Sequence, residues 1–310
     1  MWQDSLLSIT YDRASATALM DHSSMAIPYT LTPNILPFHA AMYRVCKVGL
    51  DVVRDRSRVM SSRELLSRIH TLRDEINTIM RESADYLRDS RKCRSLRDSI
   101  EHWALYLHVS YITSELCRPA ISPSTSDAEL KKHFKQLCLD SLVNVIEAWL
   151  GLQNITAYAR HSWASVHRAL SSALLLGIMG EYKHNERCRK LLGRFLALMG
   201  DITGSVDPQE LAAPMERAIA ALRKLNINDA RPSLSRVAHA NTAPRFIEDI
   251  ALGGSQAAND GGSPMVKMQD GSLYHAGDPG SAGSAHTTSG DEESPYSVLN
   301  SILWGAGRTP

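Results

Sequence analysis

The amino-acid sequence predicts an all-α protein: an irregular multi-helix domain followed by a disordered C-terminal tail. Apolar residues recur at helical spacing over nearly all of residues 37–226. Capping-box signatures and prolines punctuate that stretch where helices should start and stop. No alternating run with hairpin turn chemistry appears, which argues against strands.

The first stripe is Trp2, Leu6 and Ile9, closed by Tyr11-Asp12-Arg13. A helix that starts at the first methionine with neither N-cap nor polar lead-in predicts a piece cut from a larger fold. Next, Pro37 is a first-turn proline ahead of Phe38, Met42, Val45, Val48 and Val52. Ser61-x-x-Glu64 is a capping box, whose hydroxyl and carboxylate satisfy orphan amides of the first turn. Leu65, Ile69, Leu72, Ile76 and Ile79 then form a heptad seam, but one too short for a coiled coil, so intramolecular packing is expected. Leu96, Ile100, Trp103, Leu107 and Tyr111 form a stripe stopped at Arg118-Pro119, because proline disfavours the helical conformation in its predecessor. Ser126-x-x-Glu129 reads as a second capping box, before Leu130, Phe134, Leu137, Leu142, Ile146 and Trp149. Further stripes are Trp163, Val166, Leu170, Leu174 and Ile178, and, after Asn185, Cys188, Leu192, Phe195 and Met199. The last uses Asp207 as N-cap and Pro208 at N1, ahead of Leu211, Met215, Ile219 and Leu222. The stripe starts drift in spacing, so no constant helical repeat is present.

Composition changes after residue 229. Half of the 18 glycines lie between Ala251 and Gly290, in a segment with too little apolar surface to offset its ordering entropy, so disorder is expected. The expected organisation is a helical domain over 1–228, a Gly/Ser-rich linker over 229–290 and a short motif over 291–310. In that motif Asp291-Glu292-Glu293 precedes Tyr296, Leu299, Ile302, Leu303 and Trp304, an acidic start before an amphipathic pattern, which marks those five as partner-binding candidates.

Of the 310 residues 44% are apolar, enough for a sizeable core, and the net charge of +1 implies no global attraction to nucleic acid or membrane. No signal-peptide pattern is present and Ala173–Met179 is far too short to span a bilayer, so a soluble intracellular chain is expected. The five cysteines are scattered, without the Cys-x2-Cys-x6-Cys clustering a binuclear zinc site needs, and are expected to be reduced and mostly buried. Phosphate-cradling and nucleophile motifs are missing. His102 and His108 are six apart, off the three-or-four spacing of a helical metal pair, as are His161 and His167. Neighbouring carboxylates such as Asp74 and Glu75 point apart. No catalytic, cofactor or metal residue is therefore assigned. The one dense basic cluster, Arg88, Arg91, Lys92, Arg94 and Arg97, reads as an interhelical connector diluted by Asp85, Asp89 and Asp98, with nuclear import or phosphate contact as the alternative.

Two segments carry a resemblance. Trp-Gln-Asp-Ser-Leu-Leu-Ser-Ile-Thr-Tyr-Asp-Arg, residues 2–13, resembles a signature inside the fungal-specific transcription factor domain, the helical regulatory region of fungal zinc binuclear cluster transcription factors. Ile100-Glu101-His102-Trp103, Tyr111-Ile112 and Ser114-Glu115-Leu116-Cys117-Arg118-Pro119 resemble the helix that follows in that family. The resemblance spans roughly residues 1–225. It implies a nuclear transcription regulator without enzymatic activity, working through co-regulator proteins, another family member or a small effector, with self-association an option and no membrane role. It also implies structural roles for Trp2, Asp4, Ser5, Leu6, Asp12, Arg13, Trp103, Glu115, Leu116, Cys117, Arg118 and Pro119, with Trp2, Leu6, Trp103 and Leu107 in the core and Glu115 pairing with Arg118. Relatives hold zinc and reach DNA through an N-terminal cluster that this sequence lacks, so no cofactor and only indirect DNA contact are expected. A helical protein-interaction adaptor without a DNA-related role is the alternative.

Overall fold

Several of the long helices begin where a local side chain satisfies their first amides. The computed structural model describes residues 35–56, 58–122, 127–156, 162–205 and 213–225, with Ser5, 7–9, Ser15 and Ala159. Helix α1 (Phe38–Arg56) follows Pro37, whose carbonyl accepts the Ala41 N–H at 3.0 Å. Helix α2 (Ser62–Glu82) has the complete capping box: Glu64 N–H donates to Ser61 Oγ at 3.3 Å and Ser61 N–H to Glu64 Oε2 at 2.9 Å. Its seam buries Ile69, Leu72, Ile76 and Ile79 within the chain, as intramolecular packing requires. A single bridge between Leu36 and Ser83 ties the start of α1 to the end of α2, and among the described residues no strand forms.

The short helix α3 (Asp85–Arg88) and a 3-10 turn, Ser90–Lys92, lead to α4 (Leu96–Cys117), capped by Ser95, whose Oγ accepts the Asp98 N–H at 3.0 Å. Helix α4 ends at Cys117 in a 3-10 turn, Arg118–Ile121, that holds Pro119. The expected stripe of α4 needs correction at its start, because Leu96 is 66% exposed while the second half of the helix is buried almost all round. The cap of α5 (Ala128–Ile155) is Asp127, not Ser126, which lies outside the described residues. Asp127 Oδ1 accepts from Glu129 N–H at 3.0 Å and Leu130 N–H at 3.1 Å, so aspartate does at that register what the serine was expected to do one residue earlier.

Helix α6 (Trp163–Ile178) terminates at Met179 and Gly180, whose φ of 69° is a left-handed conformation that glycine adopts without strain. Asn185 Oδ1 accepts the Cys188 N–H at 3.0 Å at the start of α7 (Glu186–Ser205). Helix α8 (Ala213–Lys224) buries Ile219 and Leu222, while the expected start at Asp207-Pro208 lies outside the described residues. The tail expected to be disordered, 229–290, and the motif at 291–310 also lie outside them.

Helices α4 and α5 make the most extensive contact and form the centre. On one side α1, α2 and α3 cover α4; on the other α6 and α7 cover α5, and α8 rests on α6 and α7. The fold is all-α, with Trp149, Phe134, Phe195 and Ile112 among its fully buried side chains. Among the described residues no helix is long and apolar enough to cross a membrane.

Candidate functional site

The last turn of α1, the first half of α2 and the end of α4 enclose a cleft of about 260 Å³. Its floor is apolar, from Val52 on α1, Leu65, Ile69 and Leu72 on α2 and Leu116 on α4, and its rim is charged, from Asp55, Arg56, Arg58, Arg68 and Glu115. Helical spacing explains the grouping: Val52 and Asp55–Arg56 sit one turn apart on α1, as do Leu65, Arg68–Ile69 and Leu72 on α2.

The rim is an ion-pair network. Arg68 Nε donates to Asp55 Oδ2 at 2.5 Å and its Nη2 lies 3.5 Å from Asp51 Oδ2. The bond to Asp55 is the main reason the Arg68 guanidinium is held above its ordinary range. Arg56 pairs with Glu115 across 59 positions of sequence, and Arg118 Nη1 approaches the same Glu115 oxygen at 3.6 Å. Glu115 is only 6% exposed, so that carboxylate depends on its two arginines. Arg58 differs: it is 64% exposed and reaches Asp55 only at 3.8 Å, a weak pair in solvent. Glu64, whose carboxylate serves the Ser61 cap, also lies in the field of Arg58.

A second polar cluster lies deeper, where α1, α4 and α6 meet. Arg168 is 1% exposed, donates from Nη1 to His108 Nδ1 at 2.9 Å and stands 4.7 Å from the centre of the Tyr111 ring. Among the described residues its Nε and Nη2 meet no hydrogen-bond acceptor. Burial pulls the guanidinium down to about 10, against the pull of Tyr111, Cys46 and Glu115, so it remains charged at neutral pH. Burial, and then Arg168, push His108 well below its ordinary value, so the ring is neutral and its Nδ1 accepts. The same two causes lower His167 to about 4.

The basic cluster is the connector the sequence suggested. Arg88 and Lys92 pair with Asp85, Arg91 with Asp89 and Arg97 with Glu101, while the Arg94 N–H donates to Asp98. Cys46, Cys117, Cys138 and Cys188 are buried free thiols, and Cys93 is half-buried. Burial pushes Cys46 up to about 11 and Cys117 and Cys188 up to about 12, far from the thiolate form that reacts. No group of three or more metal-ligating side chains occurs among the described residues. His102 is buried and its Nδ1–H donates to the Tyr86 and Leu87 carbonyls at 3.0 and 3.1 Å.

The structure gathers Glu115, Leu116, Arg118 and Pro119 at the cleft and its edge, and places Cys117 in the core. Ser5 is buried too, its Oγ donating to the Cys46 carbonyl at 3.1 Å. The core role expected of Trp103 is corrected: it is partly buried and lies over Gly151 of α5, whereas among the described residues Trp149 is fully buried. Trp2, Asp4, Leu6, Asp12, Arg13, Tyr296, Leu299, Ile302, Leu303 and Trp304 lie outside the described residues. Sequence reasoning missed Arg56, Arg68 and Arg168. Only Arg168 left a signal, as the sole charged residue in α6.

The fold and the site define an all-helical domain with an arginine-rimmed cleft and a buried Arg168–His108 pair in its interior. Comparison with family models, with curated proteins and with solved structures finds no match to this chain.

Proposed function

We propose that this chain is a transcription-regulatory module of the kind found in fungal zinc-cluster regulators, working in the nucleus by binding rather than by catalysis. Its partners in this reading are co-regulator proteins or another family member, and the cleft takes a small effector. In this reading zinc and sequence-specific DNA contact are not carried by the residues of this chain. The observation that supports it is the placement of the second motif: Glu115, Leu116 and Pro119 wall the cleft, and Glu115 is held both by Arg118 and by Arg56. A helix-ending motif that walls a cleft and anchors a distant helix is placed to couple occupancy to the packing of α1 against α4.

The test is to fuse the full chain to a heterologous DNA-binding domain in a fungal reporter strain. Reporter transcription should change, in either direction, relative to the DNA-binding domain alone. A soluble, nuclear fusion that leaves transcription unchanged overturns the reading, as does zinc retained by the isolated chain after dialysis.

A further inference from the structure

The lining of the cleft carries three guanidiniums, Arg56, Arg58 and Arg68, against two carboxylates, Asp55 and Glu115, and with the flanking Asp51 on Arg68 and Arg118 on Glu115 the network still keeps one positive charge in excess. Arg68 is committed to Asp55 at 2.5 Å, and Arg56 to the buried Glu115. Arg58 is the cation with donors to spare, at 3.8 Å from Asp55 and largely in solvent, while the nearby Glu64 carboxylate is engaged by the Ser61 cap. The same cleft is lined by Val52, Leu65, Ile69 and Leu116.

A bare inorganic anion would pair with Arg58 and leave the apolar floor uncovered, and an apolar molecule would cover the floor and leave the rim unanswered. An acidic polyanion would exceed the single charge in excess. We infer that the cleft binds a small organic monocarboxylate with an apolar body, its carboxylate on Arg58 and its body on Val52, Leu65 and Ile69. The size follows from the cavity: about 260 Å³ is below the roughly 300–1,000 Å³ of pockets that hold drug-sized ligands. Burial of the apolar body supplies affinity, and the guanidinium, with its planar donor fork, supplies orientation. The inference rests on the effector-binding part of the proposed function. It is measured on purified protein, so its failure leaves the reporter result standing, and the reverse.

Isothermal titration calorimetry of the full chain with octanoate and hydrocinnamate tests it, using octanol, octylamine and inorganic phosphate as comparison probes. At least one carboxylate should bind saturably at one site, more tightly than all three comparison probes. Arg58→Gln, at an exposed position that does not support the fold, should weaken it by about ten- to a hundredfold, the worth of a hydrogen bond to a charged group. Leu65→Ser should weaken it as well, and Arg91→Gln, on the connector, should leave it unchanged. The inference is overturned if neither carboxylate binds saturably, if octanol, octylamine or phosphate binds as tightly, or if Arg58→Gln has no effect.

Discussion

Two buried charges in this protein are held in opposite ways, and the difference is measurable. Glu115 has two arginines on its carboxylate, so Glu115→Gln removes the buried charge that both Arg56 and Arg118 face and should cost about 3–5 kcal/mol in chemical denaturation. Among the described residues Arg168 bonds to a neutral imidazole and faces a ring, and no carboxylate hydrogen-bonds to it, Glu115 acting only through its field. Replacing so poorly compensated a charge with an apolar side chain of similar volume is often neutral or stabilising by about 1–4 kcal/mol, so Arg168→Met should not destabilise the fold. A large loss from Arg168→Met would show that the guanidinium is better satisfied than its contacts indicate. The neighbouring histidines set the acid response. His167 is lowered to about 4 and His108 well below its ordinary 6.5, so the unfolded chain binds protons in that interval that the folded chain refuses. Stability therefore rises with pH across the interval and is lost as pH falls from about 6.5 to about 4, with His167 contributing at most about 3 kcal/mol. Guanidinium unfolding at several values between pH 7 and 4 checks it, and a flat profile above pH 5 would count against buried neutral histidines.

Helix α5 carries its own exception at Gly151. A Cβ built there falls onto the indole of Trp103, so the glycine exists for the close approach of α4 and not for the backbone, which is ordinary helix. Alanine would gain about 1 kcal/mol of helix propensity yet force the ring to shift, and overpacking costs about 1–3 kcal/mol. Gly151→Ala should therefore lower the melting temperature in the wild-type background and raise it in a Trp103→Ala background, a coupling that a double-mutant cycle reads directly. The glycine is one of the features spacing could not reveal, because it depends on which residue of another helix comes opposite. What spacing did reveal is local. The Ser61–Glu64 box, the start after Asn185 and the stop near Pro119 are each decided within a few residues, and each is where the sequence placed it. Errors arose where two residues compete for one local role, as Ser126 and Asp127 do, or where a helix runs past its neighbours, as α4 does at Leu96. The cleft was only half legible: Glu115 with Arg118 is a spacing of three across the end of α4, whereas Arg56 arrives from α1, and no periodicity encodes that meeting.

At the scale of the molecule, the described helices close around a single continuous core that runs from Val45 on α1 through Ile112 and Trp149 to Leu222 on α8. That continuity leaves the last described residue, Leu225, already packed, 6% exposed among its neighbours. The composition beyond residue 229, rich in glycine and serine and poor in large apolar side chains, offers little further surface to bury. Ending the chain after residue 228 should therefore leave the melting temperature and the denaturant slope unchanged, since that slope scales with surface exposed on unfolding. A lower melting temperature with a smaller slope would instead mean that the apolar residues of 296–304 dock on the helices. Adding the peptide 285–310 in trans would then restore stability to the shortened chain, and Leu299→Ala with Trp304→Ala in that peptide would abolish the rescue.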